Sequence, residues 1–154
     1  MDRLVYITST FAVAAQFRPE DFAEAAALGF KTIINNRPDG EEAGQLPSAE
    51  AAEFARAAGL AYHYIPTGKM ELFSDAVVDA SEAVMGAAHG PILAYCRSGM
   101  RCSIVWSAVS SRSIPVDDVL AAVLAAGFTD FEFMRDDFDE QAQKGSALAQ
   151  SLAA

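Results

Sequence analysis

The sequence predicts a three-layer α/β domain, a mostly parallel sheet flanked by helices. Three observations carry that expectation. Short apolar or β-branched runs alternate with longer stretches of helical spacing. One run, Pro91–Tyr95, is continuously apolar, as a central strand covered on both faces must be. The 154 residues are 52% hydrophobic and 21% charged, which excludes a disordered chain and suits a single domain spanning 1–154. A domain of this size buries roughly two thirds of its unfolded surface, so it needs neither disulfide nor metal to fold.

Each element has its own signal. Leu4–Ile7 and Phe11–Ala15 are apolar runs split by Thr8-Ser9-Thr10, a hairpin or two edge strands. Pro19 suits the first turn of a helix reaching Leu28 and stopped by Gly29. Thr32–Asn35 is a strand that ends in Pro38-Asp39-Gly40 turn chemistry. Ser48 is expected to cap a helix running to Ala58 and closed by Gly59, and Ala61–Ile65 is a strand stopped by Pro66. Ser74 caps a helix carrying Val77, Ala80, Val84 and Ala88 at helical spacing. Cys102–Val109 reads as a buried helix. After Pro115, Val116, Val119, Leu120, Val123 and Leu124 make the clearest amphipathic helix. Phe128, Phe131, Phe133 and Phe138 are expected to pack the last segment onto the body, ahead of a frayed tail of about ten residues.

Charge removes whole classes of function. Twenty-one acids against eleven bases leave a net charge of −10, so neither nucleic acid nor an anionic membrane is an expected partner. No apolar stretch is long enough to span a bilayer, and no leader is read at the N-terminus. Two cysteines make no disulfide framework, and a reduced, cytoplasmic protein is the expectation. The acids between Asp130 and Glu140 read as a solvated face. His63 and His89 are far apart with no ligand-like neighbours, so no metal and no cofactor are expected.

The chemistry is placed in the loop after Pro91–Tyr95. Ligands of parallel sheets bind at the carboxyl ends of strands, where Cys96 should sit. Ser98, Gly99 and Met100 then turn into a helix, with Gly99 free to take positive φ. Backbone N–H groups there form an anion-binding nest, reinforced by the helix N-terminus. Those donors, with Arg97 and Arg101, are expected to hold Cys96 as a thiolate, the nucleophilic form.

Cys96-Arg97-Ser98-Gly99-Met100-Arg101 resembles the active loop of the beta-lactamase-hydrolase-like phosphatase-like family. Ile33–Glu42 and Ala61–Pro66 are similar to its other two blocks, and the likeness runs from about Phe11 to Gly127. It implies a cysteine-phosphatase-like fold, in a family sometimes fused to a metallo-hydrolase domain of sulfide metabolism; this chain looks like the stand-alone form. The sequence departs from the usual pattern at Met100 and Cys102, where Thr and Ser are common.

Two enzymatic readings remain open at this level. Tyrosine and dual-specificity phosphatases place five residues between Cys and Arg; here four separate Cys96 from Arg101, and Cys102 takes the phosphatase arginine position. The shorter loop is similar to that of rhodanese sulfurtransferases. Sulfur transfer needs no general acid, since a thiol acceptor attacks the terminal sulfur directly, whereas ester cleavage needs one. Asp75 is the possible proton donor, with Glu71 beside it, and neither lies in a recognisable motif. The sequence therefore favours sulfur transfer through a Cys96 persulfide, from thiosulfate or a small persulfide. The alternative is phosphoester hydrolysis through a phosphocysteine, and the third reading is an idle anion-binding module. Arg37, at another strand end, either binds the substrate anion or pairs with Asp39 or Glu41 in its turn. Cys102 either packs the core or resolves an oxidised Cys96 as a disulfide.

Overall fold

The computed structural model describes residues 1–153. Val5–Thr8 (β1) and Phe11–Ala14 (β2) form an antiparallel hairpin. Thr32–Asn35 (β3), Ala61–Tyr64 (β4) and Ile92–Tyr95 (β5) join parallel to β2, in the order β1-β2-β5-β3-β4. The three-layer, mostly parallel sheet expected from the sequence is therefore present.

β5 is the middle strand, and its apolar run follows from that position. Ala94 lies opposite Val13 on one side and Ile34 on the other. Ile92, Ala94 and Cys96 join one core, while Leu93 and Tyr95 join the other, the period-2 alternation of a strand buried on both faces. Pro19–Ala27 (α1) and Ser48–Ala57 (α2) cover the face with Leu93 and Tyr95. Asp75–Ala87 (α3), Met100–Ser110 (α4), Val116–Ala125 (α5) and Arg135–Ala153 (α6) lie on the other face.

α4 is buried continuously from Cys102 to Ser110, so its polar side chains need partners inside the protein. Ser103, Ser107 and Ser111 supply their own. Each hydroxyl donates to the carbonyl one turn back, on Gly99, Ser103 and Ser107, at 2.7–2.9 Å. The stripe leaves α4 narrow enough to pack closely without stranding a donor.

One expectation is corrected at the C-terminal end. Phe131 and Phe138 are buried as predicted, but Phe133 is 80% exposed. Phe131–Met134 forms a 3₁₀ turn, in which residues three apart share a side; Phe131 and Met134 face inward and Phe133 faces solvent. α6 continues to Ala153, and Ala154 lies outside the described residues. The helix is held by a close backbone approach, since a Cβ at Gly145 would overlap the Arg112 carbonyl. Arg112 also reaches Gln141 of α6 at 2.9 Å.

These positions predict opposite costs for two neighbouring phenylalanines. Phe138→Ala should lose about 3–5 kcal/mol in denaturant unfolding, as a fully buried ring does. Phe133→Ala should stay within about 0.5 kcal/mol.

Candidate active site

Cys96 follows β5 directly, and the ladder continues into its loop. The Cys96 N–H donates to the Ala14 carbonyl at 3.4 Å, the Tyr95 carbonyl accepts from Asn36 N–H at 2.9 Å, and the Arg97 carbonyl accepts from Gln16 N–H at 3.4 Å. The base of the loop is thus pinned from both neighbouring strands. Gly99 then takes φ +93° and caps α4. A side chain there would be strained by the left-handed backbone and would press on Val13 at 3.4 Å. This turn aims the Gly99 N–H at Cys96 Sγ, 3.1 Å away.

The sulfur is 1% exposed, yet it is held as an anion. Its pKa is lowered to about 5, first by the hydrogen bond from the Cys102 thiol, then by the N–H groups of Cys102, Ser98 and Gly99; burial opposes them. Cys102 shows the reverse. Burial, and then the Cys96 charge, push its thiol well above the usual range. The pair keeps one proton on Cys102 and the charge on Cys96, which is the division a nucleophile requires.

Beside the sulfur stands a network of two arginines and one carboxylate. Both Nη atoms of Arg101 reach Glu41 at 2.8 Å, and Nη1 also donates to the Thr67 carbonyl at 3.0 Å. Arg37, only 2% exposed, donates through Nε to the same carboxylate at 2.9 Å. Its Nη1 reaches Gln16 Oε1 at 3.0 Å and its Nη2 reaches Glu42 at 3.4 Å. Arg101 first, and then Arg37, hold the Glu41 carboxyl down at about 2. The bidentate fork of Arg101 matches the geometry by which guanidinium grips an oxyanion.

The structure brings Cys96, Ser98, Gly99, Arg101 and Cys102 together. Arg37 is built into the wall with Glu41 as its partner. Asp39 is used elsewhere, accepting from the Ser48 N–H at 2.9 Å where α2 begins. Met100 is about half exposed at the start of α4. Arg97 departs from expectation: its side chain is exposed and lines a neighbouring cleft, and the groups that lower Cys96 most are Cys102 and the backbone N–H groups. Asp75 also departs from expectation. It lines a cleft with Arg112, past the far end of α4, and that helix is about 16 Å long. The Lys144 ammonium, 2.8 Å away, lowers its pKa, the opposite of what a proton donor needs. Among the described residues, no three His, Cys, Asp or Glu side chains gather as metal ligands do, and no helix is long and apolar enough to cross a membrane.

Glu41 is the functional residue that sequence reasoning placed only as a turn partner. The available signal was an acid in the loop after a strand adjacent to β5. Its contact with Arg101, sixty positions away, has no local signature.

Cys96 should therefore alkylate with iodoacetamide at a rate that is level above about pH 6. It should fall as pH drops through about 5, because protonation removes the thiolate there. Cys102→Ala deletes the largest stabilising donor and should move that midpoint upward, measured by mass spectrometry of the Cys96 peptide. An unmoved midpoint would show that the backbone donors suffice.

The family described as "Beta-lactamase hydrolase-like protein, phosphatase-like domain" matches residues 3–113. A beta-lactamase hydrolase-like protein of Agrobacterium fabrum is 38% identical over 99 residues, which is 64% of this chain and 23% of that protein. The chain spans less than a third of the length of the curated relatives it matches. A solved candidate phosphatase from Neisseria meningitidis is 32% identical, with a TM-score of 0.75, covering 89% of this chain and 96% of that one. A kinase-associated phosphatase shares the fold at 11% identity, with a TM-score of 0.71 over 94% of each chain. By sequence and by fold alike, this chain belongs to the beta-lactamase hydrolase-like, phosphatase-like family, built on the scaffold of cysteine-dependent phosphatases.

Proposed function

We propose that the chain is a cysteine-dependent phosphatase that hydrolyses small phosphoesters through a phosphocysteine at Cys96. The observation that carries this reading is a buried thiolate facing backbone donors beside a bidentate arginine. Its family and its 32%-identical structural relative support the same chemistry. In the first step Cys96 Sγ attacks phosphorus, a P–S bond forms, the ester P–O bond breaks, and the alkoxide or aryloxide departs with the bonding pair and takes its proton from water. In the second, water attacks phosphorus and gives up a proton to solvent, the P–S bond breaks, and inorganic phosphate and the Cys96 thiolate are released. Arg101 and the N–H groups of the loop hold the phosphoryl oxygens through both steps. Both thiols must stay reduced for this cycle, which supports a reducing, cytoplasmic setting. We treat residues 1–154 as a single catalytic domain.

Neither Glu41 nor Asp75 can protonate the leaving oxygen. Glu41, the carboxylate of the site, is ionised down to about pH 2, and Asp75 lies at the far end of α4. Turnover should consequently depend steeply on the leaving group. An aryl phosphate such as p-nitrophenyl phosphate is expected to react at least 100-fold faster than an alkyl phosphate, read as kcat/KM. Comparable rates would mean that a proton donor is supplied.

The four-residue spacing between Cys96 and Arg101 favours a second reading, sulfur transfer through a Cys96 persulfide to a thiol acceptor. Parallel turnover of p-nitrophenyl phosphate and of thiosulfate with cyanide separates the two. Phosphate release with no sulfur adduct on Cys96 supports the phosphatase; thiosulfate turnover alone replaces it. Silence with both substrates would leave the idle anion-binding module. Arg101→Lys should cost about 100-fold in kcat/KM for the working substrate with little change in Tm, since an ammonium cannot reproduce the fork. An equal loss of stability would instead make Arg101 a scaffold residue.

A further inference from the structure

We propose that the cleft beside the Cys96 loop binds a second anionic group of the substrate. The preferred substrates would then be phosphoesters carrying another phosphate or carboxylate; this rests on the phosphatase reading. The cleft has a volume of about 510 Å³ and is lined by Gln16, Arg18, Arg37, Glu42, Gln45 and Arg97, among others. It opens where the loops after β2, β3 and β5 meet, and it touches the reactive loop through Arg97, the residue after Cys96.

Charge gives this place its meaning. The chain has eleven Lys and Arg residues and a net charge of −10. Yet Arg18, Arg37 and Arg97, one on each of these three adjacent loops, all line the cleft, against Glu42 as its lining carboxylate. That excess of cations over acids in the lining, in a chain of net negative charge, favours an anionic ligand. The cations also differ in availability. Arg101 is committed to Glu41 at 2.8 Å. Arg97 is exposed and makes no ion pair among the described residues. Arg18 is half exposed and holds Asp21 and Glu20 only at 3.5 and 3.7 Å.

Arg37 supplies a fixed floor. Its guanidinium is buried, and Gln16 and Glu41 orient it at 3.0 and 2.9 Å. Its remaining Nη2 meets Glu42 at 3.4 Å, and that carboxylate is 61% exposed. A mobile surface acid at long range is easily replaced by a ligand oxyanion, whereas the buried arginine stays in place. α1 starts at the rim of the cleft with Pro19, so its positive end faces the same space.

Bisphosphonates test the cleft on the intact protein, because their P–C bonds are not hydrolysed. Titration calorimetry would compare methylphosphonate with α,ω-bisphosphonates of one, three and five methylenes. At least one spacer should bind about tenfold more tightly than methylphosphonate, the gain from one additional charge-assisted contact. Arg97→Gln, an exposed substitution, should abolish that ratio, and Glu42→Gln should widen it. Equal affinities for all ligands, or a ratio that survives Arg97→Gln, would overturn the proposal. Turnover of p-nitrophenyl phosphate by the same preparation judges the hydrolytic reading separately. A two-anion preference without turnover sinks that reading and not the cleft.

Discussion

The site depends on β5 being paired along both edges. A strand held by β2 and β3 has no freedom to slip, since a one-residue shift would exchange its two core faces. Its last residue, Tyr95, lies opposite Ala14 and Asn35, and Cys96 is therefore delivered to one place at the carboxyl edge. Everything chemical follows from that placement. The neighbouring loops begin at the same level, so Gln16, Arg37 and Arg97 come within reach of one another, although they are far apart in the chain.

A buried charge is costly unless it is satisfied. Here the cost is met by short-range donors more than by opposite charge. The sulfur accepts from Gly99 at 3.1 Å and from the Cys102 thiol, and the Ser98 and Cys102 N–H groups contribute as well. Such donors are fixed by the turn and need no rearrangement during reaction. The ionisation of the nucleophile therefore rests on these donors rather than on Arg37 and Arg101, which are engaged by Glu41 and Glu42.

Much of this was legible in the sequence, and the limits have physical causes. Alternating periodicity gave the elements, because burial on one or two faces is written directly into residue spacing. Cys96 and Gly99 were readable because a strand end, a thiol and a flexible turn residue are contiguous. The Glu41 bridge was hidden, because the fold brings together two loops that no local pattern links. Asp75 looked plausible by its position in the chain, yet Lys144 of α6 binds it. Phe133 failed because a 3₁₀ turn changes which residues share a side. The backbone contact at Gly145 that holds α6 is equally invisible in a composition that reads as a tail.

The Arg101–Glu41 pair has a consequence for traffic through the site. An arriving oxyanion does not add to a vacant guanidinium; it exchanges with a carboxylate tethered on the adjoining loop. A tethered competitor acts at an effective concentration in roughly the millimolar range. The affinity for any ligand is therefore the difference between two similar ion pairs, and tight retention of a simple product anion is built out. In the proposed phosphatase cycle Glu41 would compete with the anion for Arg101 both as substrate arrives and as product leaves.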